Sequence, residues 1–202
     1  MEITKETSLH LLVTAKCNNN CPLCCNREYN LLEIPVVQVE ELAKAGTLCI
    51  TGGEPLIFTD QVKHLLKNYK YMVGSSNPKK VYIYTTGRNM TLDVLDDLVF
   101  YWDNPLVSGF SIGPKSYQDW KQIEWLIREY HDTMSELNNR LYLFPEWEQT
   151  FKDINKENPD ISEIFEVIPR KWQKSFKPAK NSIFRRLPLL FNVGVYVRDE
   201  NG

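Results

Sequence analysis

The sequence predicts an α/β protein whose mostly parallel sheet is wound as a partial (β/α)6-type barrel. Two observations predict it. Short apolar runs alternate with amphipathic stretches along residues 1–144, the pattern that βαβ units and a parallel sheet produce. Five such runs fit in that length, about 30 residues per unit, as crossover units require. The remaining 58 residues hold about one more unit and a tail, so six units fit the count better than eight.

Each element has a local reason. Ser8–Ala15 is apolar and ends just before Cys17, as a strand feeding a loop does. Val37–Lys44 is a short helix between the breaker Pro35 and Gly46. Thr47–Thr51 is a buried strand followed by Gly52-Gly53-Glu54-Pro55. Thr59 or Asp60 caps a helix with Val62, Leu65, Leu66 and Tyr69 on one face. Lys80–Thr85 is a strand closed by Thr86-Gly87, and Thr91 caps a helix with Leu92, Leu95, Leu98 and Val99 inward. Leu106–Ile112 is the next strand, broken by Gly113-Pro114. Ser116–Leu137 is the longest predicted helix, with Trp120, Ile123, Ile127, Tyr130 and Met134 at 3–4 spacing. Arg140–Phe144 is a fifth strand, Ile161–Ile168 a helix and Phe191–Val197 a strand.

Composition narrows the class. A chain of 202 residues, 43% hydrophobic and 25% charged, is an ordinary globular sequence and excludes a disordered or collagen-like one. Net charge −2 gives no global pull toward nucleic acid or anionic membrane. No apolar run approaches a membrane span, and the first residues do not read as a secretory signal. Charge is segregated late in the chain. Pro145–Glu166 carries seven acids and two lysines, and Arg170–Arg186 seven basic residues and no acid. That pattern reads either as a solvated connector or as a patch for a phosphate-bearing substrate or acidic partner.

Five cysteines, an odd number, argue against a disulfide framework. Cys17, Cys21, Cys24 and Cys25 fall within nine residues, whereas Cys49 stands alone in an apolar run and reads as core. Thiolates gathered on one loop suit a soft metal. Structural zinc takes two separated ligand pairs, but Cys17-x3-Cys21-x2-Cys24 offers three ligands together. Three thiolates would leave one iron of a four-iron cluster open. Spacing alone leaves cluster and zinc both standing.

Taken together, Cys17-Asn-Asn-Asn-Cys21-Pro-Leu-Cys24 and Gly52-Gly53-Glu54-Pro55 resemble the radical S-adenosylmethionine (radical SAM) superfamily, as a small single-cluster member. Each motif follows a predicted strand, the end at which barrel active sites form. The resemblance implies a [4Fe-4S] cluster held by Cys17, Cys21 and Cys24, its open iron chelated by the methionine end of SAM. It places Gly52, Gly53, Glu54 and Pro55 at that methionine, Leu23 near adenine, and Asn26 as a polar neighbour of the cofactor. Leucine at 23 departs from the aromatic residue usual there. Thr85 and Thr86 resemble the polar end of the third strand in many members, and Ser111 a fourth-strand residue near ribose. Cys25, next to a ligand, is read as a non-ligand.

The expected activity is reductive cleavage of SAM to methionine and a 5′-deoxyadenosyl radical that abstracts hydrogen from an unidentified substrate. A small anionic or nucleotide-like metabolite is favoured. The alternatives are an activating or modifying enzyme for a partner protein or peptide, similar to glycyl-radical activases, and a non-catalytic zinc-binding module. The resemblance also implies an oxygen-sensitive enzyme in the cytoplasm, with a flavodoxin- or ferredoxin-like electron donor. Residues 1–144 would form the radical SAM core. Residues 145–202 would complete the barrel and shape the substrate side.

Overall fold

The computed structural model describes residues 3–21, 24, 26, 30–73, 80–100, 105–159, 161–173 and 179–191. Its strands are β1 (Ser8–Thr14), β2 (Thr47–Gly52), β3 (Lys80–Thr85), β4 (Gly109–Ile112), β5 (Asn139–Leu143), β6 (Phe165–Pro169) and β7 (Ser182–Phe191). They form one seven-stranded sheet in the order β6-β5-β4-β3-β2-β1-β7, and every pairing is parallel. The α/β class and the parallel sheet are thus as the alternation predicts.

The helices are α1 (Val39–Lys44), α2 (Thr59–Val73), α3 (Leu92–Leu98), α4 (Tyr117–Glu129), α5 (His131–Ser135), α6 (Glu148–Glu157) and α7 (Ile161–Ile164). Successive strand residues point to opposite faces. On one face Leu9, Leu11, Leu48, Ile50, Val81, Ile83, Phe110, Ile112 and Leu141 merge with the helices' apolar stripes in a single buried core. The alternate positions carry a different chemistry: His10, Cys49, Tyr82, Tyr84, Ser111, Arg140 and Tyr142. Their register runs across the sheet, His10 beside Cys49, Cys49 beside Tyr82, Tyr84 beside Ser111 and Ser111 beside Arg140. This second face is aromatic and polar, and the candidate site opens on it. No helix among the described residues is long and apolar enough to cross a membrane.

The structure corrects several element predictions. The helix expected over Ser116–Leu137 is two, α4 and α5, broken at Tyr130 with φ −132° and ψ 31°. Apolar spacing continues across the break to Met134, so periodicity does not reveal it. The helix expected over Ile161–Ile168 stops at Ile164, and Phe165–Pro169 is strand β6. The open edge of β5 takes it in five consecutive pairs from Asn139–Phe165 to Leu143–Pro169, and a Phe-x-Val-Ile run fits a strand better than a helix. Helix α6 replaces what read as an acidic connector.

The last strand begins at Ser182, well before the expected Phe191; residues 192–197 of that prediction lie outside the described residues. Arg185, Arg186 and Pro188 hide β7 from a hydrophobicity reading. Proline is tolerated there because β7 is an edge strand. Leu92, expected inward, is 43% exposed, and Val94 takes its place in the core. A side chain at the first helical position swings off the buried stripe.

Candidate functional site

The site is assembled from the C-terminal ends of β1 to β6. The loop after β1 carries the cysteines and is sewn to the loop after β2. Gly53 N donates to Thr14 O at 2.8 Å, Glu54 N to Lys16 O at 2.8 Å, and Asn26 Nδ2 to Gly52 O at 2.7 Å. The two motifs therefore touch. This contact explains the glycines. Gly52 has φ +134°, and a Cβ there would lie 2.2 Å from Thr14 O; at Gly53 it would lie 2.0 Å from Lys16 O. No other residue lets the two backbones approach so closely.

Glu54 is fully buried. Its Oε1 accepts from the Thr85 hydroxyl at 2.8 Å and Leu56 N at 3.2 Å, and its Oε2 from Thr86 N at 2.9 Å and the Thr86 hydroxyl at 3.1 Å. Burial raises its pKa above the usual carboxylate range, although these four hydrogen bonds pull the other way. Asn19 Nδ2 of the cysteine loop also donates to Thr86 Oγ1, at 3.0 Å. Pro55 is buried and starts a short 3-10 turn, Pro55–Phe58, which Glu54 caps. Glu54 and Pro55 lie behind the cavity wall and hold it in shape.

The cavity in front of that wall has a volume of about 360 Å³. Cys17, Cys21 and Cys24 line it together with Asn26, Gly52 and Gly53. Thr85, Thr86 and Ser111 line it too, from the ends of β3 and β4. Ser111 is 1% exposed, and its buried hydroxyl has no hydrogen-bond partner, so a polar ligand group would find a waiting donor and acceptor there. Leu23 and Cys25 lie outside the described residues.

The three thiols are free, with Cys17 exposed and Cys21 and Cys24 half-buried. Burial raises the pKa of Cys17 and takes that of Cys21 up to about 11. Among the described residues, no three His, Cys, Asp or Glu side chains converge as a group that could hold a metal ion. Cys49 lies in β2, buried, its thiol pushed up to about 12 by desolvation.

A larger depression of about 650 Å³, between Lys16, Arg88 and Asp97, contains none of the cysteines or glycines. The smaller cavity is the candidate site because the thiols and the strand ends open into it. Neither the family models nor the curated proteins contain a match to this chain.

Sequence reading missed another part of the cavity. Tyr84, Lys115, Tyr142, Phe144, Arg170 and Trp172 line it. Lys115 Nζ sits 3.4 Å from the Phe144 ring centre and 4.7 Å from that of Trp172, while Arg170 lies 4.4 Å over Tyr142. Phe144 and Trp172 stack at 4.4 Å. One signal was available: Tyr142 and Phe144 are two apart in a strand and so share a face. Arg170 carried another, as the first residue of the basic run Arg170–Arg186, although the strand that positions it read as helix.

Arg88 braces the assembly. Its Nε donates to the buried Asp119 at 2.8 Å, one terminal nitrogen to Ser116 Oγ at 2.7 Å, and the other to the Asn18 carbonyl at 3.2 Å.

Proposed function

We propose that this chain is a radical SAM enzyme, with β1–β6 as its partial (β/α)6 barrel, β7 added beside β1, and the C-terminal segment shaping the substrate side. The observation that supports it is the shared cavity: three thiols, the Gly52-Gly53 backbone and the ends of β3 and β4 all face one space. The donor set fits a cluster better than zinc. Structural zinc takes four ligands, whereas the Cys-x3-Cys-x2-Cys motif brings three thiols to the cavity. A four-iron cluster takes each thiolate on a different iron, so its ligands stand apart.

Cys17, Cys21 and Cys24 would hold the cluster. Bound there, the cluster and SAM supply one-electron cleavage of a sulfonium C–S bond to methionine and a 5′-deoxyadenosyl radical that takes hydrogen from the substrate. The chain's own residues do the rest. Gly52 and Gly53 offer backbone to the methionine end, Asn26 fixes the Gly52 carbonyl, and Ser111 offers its unpartnered hydroxyl. The half-enclosed cavity limits water and other quenchers. Glu54 contributes from behind, by setting the positions of Thr85 and Thr86. An electron donor of the flavodoxin or ferredoxin kind completes the reaction, and the cytoplasm is the setting this chemistry suits.

Purified anaerobically, the protein should carry about four irons with matching sulfide. Cys17→Ala, Cys21→Ala and Cys24→Ala should each lose them, and Cys49→Ala should not. A colourless protein holding zinc, or cysteine variants that keep the iron, would overturn the reading.

A further inference from the structure

The basic segment after β6 divides in the structure. Arg185 is spent on the fold, in a two-pronged ion pair with Glu41 at 2.7–3.0 Å. Arg186 donates to the carbonyls of Leu187 and Pro188. Arg170 and Lys171 instead line the cavity that the cysteines also line, and neither forms an ion pair among the described residues. The backbone of Arg170 is anchored to β5 by its N–H to Leu143 O at 2.7 Å. Its guanidinium lies on the Tyr142 ring, which fixes the plane and leaves the N–H edges available. Lys115 joins them from the end of β4, held against Phe144 and Trp172.

Three cations thus face one cavity, and no Asp or Glu lines it among the described residues. Of the acids nearby, Glu146 accepts the Trp172 indole N–H at 2.6 Å, and Asp119 accepts the Lys115 backbone N–H at 2.7 Å and is paired with Arg88 at 2.8 Å. The cofactor of the proposed function does not balance this charge. SAM brings one carboxylate against an ammonium and a sulfonium, and three thiolates on a doubly charged cluster add only one negative charge. A cavity of this sign favours a small ligand with negative charge of its own.

We infer that Arg170 and Lys171 form a subsite for an anionic substrate, one bearing a phosphate or carboxylate groups, with Lys115 held beside them. The aromatic rings serve to orient the cations, so recognition rests on charge and hydrogen bonding at Arg170 more than on stacking. As a substrate subsite the inference rests on the enzyme reading above; as an anion site it stands on the cations alone.

Calorimetric titration of the full chain with inorganic pyrophosphate and, separately, with succinate tests it. At least one should bind, the tighter marking phosphate or carboxylate chemistry. The Arg170→Gln/Lys171→Gln double variant, altered only at exposed positions, should weaken that binding about tenfold or more. Lys180→Gln, in the same basic segment but outside the cavity lining, should bind like wild type. No binding of either probe, equal binding by the double variant, or equal weakening by Lys180→Gln would overturn the subsite. Iron content of the wild-type chain reads the enzyme proposal separately. Anion binding without iron removes the enzyme and leaves the subsite; iron without anion binding does the reverse.

Discussion

Glu54 Oε1 accepts the Thr85 hydroxyl at 2.8 Å with both residues buried, clamping the loop after β2 to the end of β3. The acid of the Gly-Gly-Glu-Pro segment is thus buried and is not among the residues that line the cavity. Its burial leads to the first prediction. A carboxyl whose pKa rises on folding binds its proton more tightly in the folded chain. Its favourable contribution is present below the unfolded value and is lost as pH rises through the folded one. Urea unfolding followed between about pH 4 and 8 should show wild type losing stability with rising pH relative to Glu54→Gln. Parallel pH profiles for the two proteins would contradict this.

Gly53→Ala should destabilise the chain by about 3 kcal/mol or more, a loss reserved for severe backbone or core conflicts. The new Cβ would meet the Lys16 carbonyl oxygen at 2.0 Å and its carbon at 2.5 Å, both backbone atoms that cannot swing aside. Gly113→Ala is the control, since its nearest neighbour would be Lys115 Nζ at an ordinary 3.5 Å. Denaturant midpoints for the pair should differ sharply, and similar midpoints would remove the steric argument.

Arg88→Ala should cost roughly 2–3 kcal/mol, because it strands a fully buried Asp119. The figure sits below that for a wholly buried pair, as Arg88 keeps 27% side-chain exposure. Adding Asp119→Asn should recover part of the loss, a positive coupling in a double-mutant cycle. Additive losses would mean the two side chains do not act together.

Cys49 should resist alkylation by iodoacetamide in the folded protein, being 2% exposed and carrying a pKa of about 12. Mass spectrometry with and without urea reads this directly. Labelling in the native state at the unfolded rate would contradict the placement.

Much of this was legible in the sequence because alternation of apolar runs is a local signal. Lys80–Thr85 begins and ends where the sequence places it, and Thr91 caps its helix by accepting from Val94 N. The two missed strands share a cause: pairing with a distant strand. Phe165–Ile168 becomes strand because β5 leaves an edge open, and β7 forms beside β1 across the whole length of the chain. The site divides in the same way. The thiols, glycines and strand-end hydroxyls are found by spacing, because they come in short motifs. Lys115, Tyr142 and Arg170 come from three separate strand ends, and only the folded sheet brings them to one cavity.

The most direct test of the enzyme reading is product formation. The anaerobic protein, reconstituted with iron and sulfide and given dithionite and SAM, should release 5′-deoxyadenosine and methionine in equal amounts. Cys17→Ala, Cys21→Ala and Cys24→Ala should release neither. An iron-loaded wild type that leaves SAM intact, or cysteine variants that still cleave it, would contradict the account.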